Sequence, residues 1–500
     1  MIRLELQFQK KQIPYLRTVL RQEQVQEQTQ EVRLGEQMPD IGRVICSWGQ
    51  VLIRGKEWRS NGISVSGGVM VWVLYAPEDG SAIRSMEAWL PIQHKWEFPF
   101  SEQDGTICVS PLLYGVDARS TGARKLMIRA NVGMLAEALC PENGYAYTPQ
   151  ELPEDVCILQ KNYPVLLPVE AGEKAFSVEE ILSLPSGAPQ VDTLLHYCLY
   201  PEVSEQRLLA DKLVFRGKMT VHVLYADVHQ ELQTLDFELP FSQYAELDRD
   251  YDDQAKTSVC IGITNLELCK QSEDTLELKA GLVGQYTVTD CVQLSVVEDA
   301  YSPVRKIELQ RESQQLNTVL EESAQIIQAQ QTLTEPGCEV IDGAFYPEHA
   351  KIYREEEQLT TELAGTFYIL SRDAEGQLHC DIQRWDDTQT QAAAENVKAN
   401  VLITPVGRCG IDAHVETISA QMQLDRKAVS EQMFTPVVGL ELGEIQEPNP
   451  NRPSLILCRT GDDCLWNIAK RTGSTVEAIK QANDLQDEPH RDKILLIPVL

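Results

Sequence analysis

Histidine and cysteine are the residue types in this chain best suited to bind a metal, with eight of the first and thirteen of the second. The nearest pair is His379 with Cys380. Adjacent side chains in a strand point to opposite faces, so these two would not share an ion. The cysteines occur singly, without a CxxC spacing. The sequence therefore predicts no metal site, and the odd, scattered cysteines favour free thiols.

Catalytic chemistry also lacks a recognisable arrangement of residues. The glycine-rich phosphate loops, the HExxH zinc motif and the GxSxG nucleophile motif do not occur in their required strand and helix contexts. Acidic residues are common, as in REEEQLTTEL from Arg354, but such runs are typical of a solvated face. We therefore predict no catalytic residue, no cofactor and no enzyme activity.

The net charge argues against some classes of partner. The 500 residues carry 75 acidic and 44 basic side chains, a formal charge of −31, which repels nucleic acid and anionic membranes. The first residues, MIRLELQFQKKQIPYL, lack an apolar run of signal-peptide length, and no stretch approaches the ~20 apolar residues of a membrane span. We expect a cytoplasmic protein that neither binds nucleic acid nor inserts into membranes.

A hairpin sequence recurs along the chain and indicates the fold class. VWVLYAPEDG at Val71 to Gly80 returns as VHVLYADVHQ at Val221 to Gln230, and more faintly as FYILSRDAEGQ at Phe367 to Gln377. Each copy has an alternating apolar run, a turn and a second alternating run, which is typical of a β-hairpin. The prediction is a mainly β protein with three diverged β-rich, sandwich-like repeat domains and a small βααβ module.

Changes in composition suggest where these domains begin and end. The predicted domains are residues 1–150, 151–305 and 306–438, followed by a linker at 439–453 and the βααβ module at 454–500. The linker contains EPNPN, whose prolines favour extended chain and let the module move relative to the body. Two segments, SVEEILSLPSGAPQVDTLL and QLNTVLEESAQIIQAQQ, are expected to be short helical or mixed lead-ins to the second and third domains.

The βααβ module has a clear core pattern. LILC at Leu455 to Cys458 and ILLIPV at Ile494 to Val499 are strand candidates, with two helices between them. The helical spacing i, i+3, i+4 predicts an apolar core, whose members are Leu465, Ile468, Ala469, Val476 and Ile479. Asp463 is the expected N-cap of the first helix, and Ser474 with Glu477 forms the expected capping box of the second.

CLWNIAKRTGSTVEAIKQANDL in this module resembles the LysM module. That family commonly binds N-acetylglucosamine polymers through the turn before the first helix and the turn after the second. This chain departs from the family in both turns: Asp462 replaces the usual Gly, Cys464 replaces Thr, and Arg491 with Asp492 replaces Pro-Gly. The resemblance implies a retained fold with an altered sugar groove.

The body supports a second resemblance. MPDIGRVICSWGQVLI at Met38 to Ile53 and the VLYA hairpins are similar to the SPOCS domain of endospore-forming Firmicutes. Several such domains followed by one LysM module resemble the SipL type of spore coat morphogenesis protein. The resemblance implies a scaffold in the mother-cell cytoplasm, at the forespore surface or spore coat, whose LysM module docks onto the SpoIVA-type coat morphogenetic ATPase. Other coat proteins are further candidate partners of the body.

The predicted partner-binding surface comprises the two turns and the exposed side of the first helix, with these residues: Asp462, Asp463, Trp466, Arg471, Asn483, His490 and Arg491. Trp466 has two open interpretations, a partner anchor or a core residue. The competing function is a protein that binds peptidoglycan or another N-acetylglucosamine polymer. A third, a glycan hydrolase with a LysM tail, requires two close carboxylates in a cleft, and the sequence offers no candidate pair.

Overall fold

β-Strands make up most of this protein, and the only helices of the described part are two short ones close to residue 500. The computed structural model describes residues 4–98, 104–252, 254–333, 338–392, 397–412, 416–447, 452–488 and 493–499. The mainly β fold predicted from the hairpin repeats is confirmed. Within the described residues, neither helix is long and apolar enough to span a membrane.

The first unit comprises six strands in two antiparallel sheets. The strands are β2 (Gln9–Arg33), β3 (Ile41–Arg59), β4 (Gly62–Pro77), β5 (Arg84–Glu97), β6 (Thr106–Gly122) and β7 (Lys125–Thr148). One sheet has the order β3-β4-β5 and the other β2-β7-β6. Alternate residues of β4 and β7, such as Val71, Val73, Ile128 and Val132, are fully buried between the sheets. The period-two pattern therefore forms a sandwich core.

The second unit repeats this strand order. Its strands are β8 (Cys157–Ser183), β9 (Val191–Leu209), β10 (Lys212–Asp227), β11 (Leu232–Glu246), β12 (Lys256–Lys270) and β13 (Thr275–Tyr301). Again the three hairpin strands form one sheet, β9-β10-β11, and the last strand pairs with the first, giving β12-β13-β8. Phe215, Phe241 and Tyr286 pack between the two sheets.

The third unit has the same order with one interruption. Its strands are β15 (Gln314–Thr332), β16 (Glu339–Pro347), β17 (Lys351–Glu355), β18 (Gln358–Arg372), β19 (Leu378–Ala392), β20 (Val397–Asp412) and β21 (Thr417–Phe434). Both β16 and β17 pair with β18, so the first hairpin strand is split after Pro347. The six-strand order thus occurs three times, and the domain limits at residues 150, 305 and 438 stay a prediction.

Two segments expected to be helical or mixed are strands. SVEEILS lies in β8, which pairs with β13 along nearly its whole length, and QLNTVLEESAQIIQAQQ lies in β15, which pairs with β21. Glu, Gln, Leu and Ala favour helices locally. Pairing with a neighbouring strand overrides that preference, because it satisfies every second backbone group and buries alternate side chains.

Part of the predicted linker is also a strand. Residues 439–445 belong to β22 (Val437–Ile445), which lies between β1 (Leu4–Gln7) and β14 (Arg305–Arg311). Leu440 and Leu442 are buried on one face of β22, and the prolines occur only after this strand. Residues 448–451, with the EPNPN prolines, lie outside the described residues.

The three units share a central contact region. Trp48, Trp72, Leu199, Val221 and Leu370 belong to one apolar cluster drawn from all three units. A cavity of about 140 Å³ lies there, lined by β3 and β6 of the first unit, β9 and β12 of the second, and β16 and β20 of the third. The units therefore meet through equivalent strands.

Candidate functional site

The βααβ module has the core that its helical spacing predicts. It comprises β23 (Leu455–Arg459), α1 (Leu465–Thr472), α2 (Val476–Ala482) and β24 (Ile494–Pro498), and β23 pairs with β24. Of the predicted core residues, Leu465, Ile468, Ala469 and Ile479 are fully buried, and Val476 is partly buried against them. Leu495 and Ile497 of β24 complete this core.

Both helices begin one residue later than expected. The N-cap of α1 is Cys464, without a side-chain cap, and Asp463 instead forms an ion pair with Arg471 at 2.7 Å. The N-cap of α2 is Thr475, whose hydroxyl accepts the Ala478 backbone N–H at 3.1 Å. Ser474 does not cap α2; it is buried, and its carbonyl accepts the Tyr301 hydroxyl of the body.

The two turns that form the sugar groove of LysM modules are joined here by a side chain. The backbone N–H of Leu465, at the start of α1, donates to the Glu488 carboxylate at 3.0 Å. Glu488 thereby replaces the missing N-cap, where a carboxylate is favoured by the helix dipole. Asp462 is exposed in the first turn. His490 and Arg491, predicted for the second turn, lie outside the described residues.

Asn483, predicted to bind a partner, is bonded within the module. Its amide nitrogen donates to the carbonyl oxygens of Ile479 and Leu496, at 2.8 and 2.6 Å. Its amide oxygen accepts the Leu496 backbone N–H at 2.7 Å. Asn483 therefore fastens the end of α2 to β24.

Trp466 binds the body of the same chain. Its indole N–H donates to Asp299 of β13 at 2.9 Å, and the Lys470 ammonium lies 2.7 Å from the same carboxylate. Burial raises the pKa of Asp299, but Lys470 and the indole N–H lower it more, so the net pKa is below the ordinary value. The carboxylate is therefore charged at neutral pH and holds both partners.

Tyr301 completes this intramolecular contact. Its ring lies edge-on to Trp466 at 4.8 Å, and its hydroxyl donates to the Ser474 carbonyl at 2.9 Å. Cys157 and Leu159 pack against the same cluster. The module is thus seated on the ends of β8 and β13, and Trp466 is a buried contact residue in this arrangement.

Comparison with known proteins identifies both parts of the chain. Residues 190–268 match the family model described as SipL, SPOCS domain, and residues 459–489 match the LysM domain. The chain carries a SipL-type SPOCS domain and a LysM domain. This pairing confirms the suspected resemblance and indicates a sporulation-related protein with a LysM domain. No curated protein and no solved structure matches the chain.

The SPOCS match extends over β9, β10, β11 and most of β12 of the second unit. The match therefore covers the hairpin sheet and one strand of the other sheet. SPOCS and LysM domains are both non-catalytic families.

One face of the LysM domain is largely apolar and open, with the exposed Arg459 at its end, and it was not predicted from the sequence. Leu455, Leu457 and Ile494 are 53%, 73% and 61% exposed on the outer side of the β23–β24 sheet. Ile456 and Cys458 alternate with them and pack inward. The alternation in LILC was a signal for this face, because a short strand with apolar residues on both sides leaves one side uncovered.

The predicted site residues therefore fall into separate groups. Trp466 lies against the body, Asn483 lies in the fold of the LysM domain, and Asp463 and Arg471 pair with each other on the surface. Among the predicted residues that the structure describes, Trp466, Asn483 and the Asp463–Arg471 pair do not share one surface.

Proposed function

We propose that this protein is a non-enzymatic scaffold of spore coat or envelope assembly, and that its LysM domain docks onto a SpoIVA-type coat ATPase. The observation that carries the proposal is the presence of a SipL-type SPOCS domain and a LysM domain in one chain. Docking on this ATPase would place the protein in the mother-cell cytoplasm at the forespore surface.

The hydrogen bonding and the residue types of the two groove turns favour a protein partner over a sugar. Glu488 of the second turn accepts the N–H of Leu465 beside the first turn, so a polar group of the groove is used internally. A glycan hydroxyl entering there would have to replace this charge-assisted hydrogen bond. The residues Asp462 and Cys464 in the first turn also differ from the family's usual Gly and Thr.

The open face of the LysM sheet supports the same choice. Leu455, Leu457 and Ile494 present apolar side chains to solvent on a domain of fewer than 50 residues. Apolar side chains that lie together on a surface are typical of a protein contact. We propose this face as the main docking surface, with the half-buried Asp463 and the exposed Arg471 at its polar rim.

Calorimetric titration of the purified full chain with the purified ATPase tests this proposal. Leu457→Asp should weaken binding at least tenfold, because a carboxylate would be buried without a partner in the complex. Val25→Asp is the matched control, since Val25 is 55% exposed on β2 of the body, and it should bind like the parent. Equal affinity of Leu457→Asp and the parent would refute the sheet face as the docking surface.

Leu465→Ala separates docking from folding. This substitution empties a fully buried position and should lower the free energy of unfolding of the LysM domain by roughly 2 to 5 kcal/mol. Leu457→Asp should leave the melting temperature of the domain unchanged, because Leu457 is exposed. If both variants melted alike, the lost binding would be an effect of unfolding.

The alternative function is binding of peptidoglycan or another N-acetylglucosamine polymer through the LysM groove. Titration of the same chain with N-acetylglucosamine oligomers distinguishes the two functions. We expect no saturable heat. Saturable binding that Glu488→Ala strengthens would establish the glycan function, because that substitution opens the groove.

A further inference from the structure

A buried cluster of metal-ligand side chains joins the second unit to the third. His196 lies on β9, His222 on β10 and Asp342 on β16. The three residues are at most 2% exposed, and one ligand atom of each lies within 4.8 Å of the others. The two histidines lie on paired strands of one unit, whereas Asp342 is 120 residues from His222 and is brought to them by the packing of the third unit.

His196 is the observation that points to a missing ligand. Both of its ring nitrogens are buried and have no hydrogen-bond partner. The ring is held by stacking on Trp48 at 4.7 Å and by edge contact with Trp72 at 5.2 Å. A buried polar group without a partner costs about 1 to 3 kcal/mol. A metal ion bound to one nitrogen would offset that cost.

His222 and Asp342 face the same space with the geometry of a supported ligand pair. The Nε2 atom of His222 lies 3.1 Å from the Asp342 carboxylate, and Nδ1 lies 2.8 Å from Asp236. Metal-binding histidines usually donate their other N–H to a carboxylate, which fixes the ring. Arg408 holds Asp236 in turn at 3.2 Å.

We propose that His196, His222 and Asp342 bind one divalent transition-metal ion, which links the second unit to the third. The ion would replace the proton between His222 and Asp342, and this proton would leave to solvent. Ligand atoms about 2.0 to 2.1 Å from a tetrahedral ion lie about 3.3 Å apart. The ligand atoms would therefore have to move towards one another by at most about 1.5 Å.

Two imidazoles and one carboxylate suit Zn²⁺ or Fe²⁺, and Zn²⁺ stands higher in the affinity order of such sites. His196 also lines the central cavity of about 140 Å³. A water molecule would supply the fourth ligand, as in zinc sites with three protein ligands. We therefore expect Zn²⁺ to bind more tightly than Fe²⁺.

Metal analysis of the full chain tests the proposal. Because the site is buried, the protein is unfolded with chelator and refolded with Zn²⁺ or, without oxygen, with Fe²⁺. The parent should retain about one Zn²⁺ per chain after dialysis and melt at a higher temperature than the protein refolded with chelator. A parent that refolds but retains neither ion would overturn the proposal.

Two variants test the ligands and a third serves as the control. His196→Leu should refold without retained metal, and its melting temperature should not respond to Zn²⁺. His94→Leu is the matched control, because His94 is an equally buried histidine whose Nε2 has no partner but which lies outside the cluster. It should retain the ion. Asp342→Asn keeps the size of the side chain and should weaken Zn²⁺ binding at least tenfold, which tests the site even if His196→Leu does not fold.

The spectrum of the Co²⁺-substituted protein checks the ligand types. Nitrogen and oxygen ligands give visible d–d bands without a sulfur charge-transfer band. A sulfur band would refute this ligand set and implicate Cys46 or Cys380, whose sulfur atoms face each other at 2.6 Å between the first and third units.

Discussion

His349 shows how a single residue ties stability to pH. It lies after β16, and its ring is buried against the first unit, where Nε2–H donates to the Ser110 carbonyl at 3.1 Å. Its backbone N–H donates to the Tyr114 hydroxyl at 3.1 Å. Burial lowers the pKa of His349 to about 4. The ring is therefore neutral in the folded protein at physiological pH.

His349→Gln should reduce the acid sensitivity of the protein. The pKa is about 6.5 when unfolded and about 4 when folded, so unfolding binds a proton between these values. The stabilising contribution is complete above pH 6.5 and is lost as the pH falls to 4, by about 3 kcal/mol. Urea titrations at pH 7 and pH 4 should show a smaller loss in the variant than in the parent. Equal losses would contradict the depressed pKa.

Other residues show what the sequence could and could not predict at this scale. The core of the LysM domain followed from local helical spacing, because its residues lie within one short segment. The contact between Trp466 and Asp299 joins positions 167 apart, and no local pattern encodes it. His196 and Asp342 align with Cys46 when the hairpin repeats are superposed through Leu74, Leu224 and Leu370. That alignment was the available signal for the cluster.

At the scale of elements, sheet edges explain how the units stay together. β6 is the edge strand of its sheet, and β9 is the edge strand of another. Gln285 of β13 bonds both the N–H and the carbonyl of Val109 in β6, and Gln50 of β3 does the same to Leu199 in β9. Glutamine side chains thus satisfy backbone groups that an edge leaves unpaired.

Gln285→Leu should loosen the contact between the first and second units. The leucine fits a similar volume but leaves the N–H and carbonyl of buried Val109 unsatisfied, at a cost of roughly 2 to 4 kcal/mol. The free energy of unfolding from urea titration measures the loss. Gln331→Leu, which removes one exposed hydrogen bond to the Arg384 carbonyl, should cost less than about 1 kcal/mol. If both variants lost a similar free energy of unfolding, the hydrogen bonds from Gln285 to the edge strand β6 would not be what stabilises this contact.

Strands were predicted correctly where apolar and polar residues alternate strictly. They were missed where the composition favours a helix. β4, β10 and β18, the central strands of the three hairpin sheets, carry the repeated apolar pattern and are strands as predicted. The long strands β8 and β15 carry many exposed Glu and Gln side chains on their outer faces, and these residues are common in helices. Their partners β13 and β21, 85 or more residues later in the chain, hold them as strands.

At the scale of the whole molecule, the LysM domain is seated against a strongly acidic body. Six basic and seven acidic residues follow residue 453, so residues 1–453 carry a net charge of about −30. Lys470 of the LysM domain meets Asp299 of the body. The mobility expected from a proline-containing linker is opposed by this contact and by the packing of Tyr301 on Trp466.

Asp299→Ala should release the LysM domain from the body without changing its open sheet face. The variant loses the Trp466 hydrogen bond and the Lys470 ion pair, together worth about 1.5 to 3 kcal/mol. Hydrogen exchange in α1 should therefore quicken by roughly 10- to 150-fold. Asp290→Ala on the same strand, whose partner is Arg249, is the control and should leave exchange in α1 unchanged.

The same variant decides which face of the LysM domain binds the proposed ATPase. Leu455 and Leu457 remain exposed while the domain is seated, so docking through them needs no release. The affinity of Asp299→Ala should then stay within about twofold of the parent. If the partner instead used Trp466, the body would compete with it, and freeing the indole would raise the affinity at least tenfold. That increase would show that the partner binds α1, the helix that the sequence predicted as part of the docking surface.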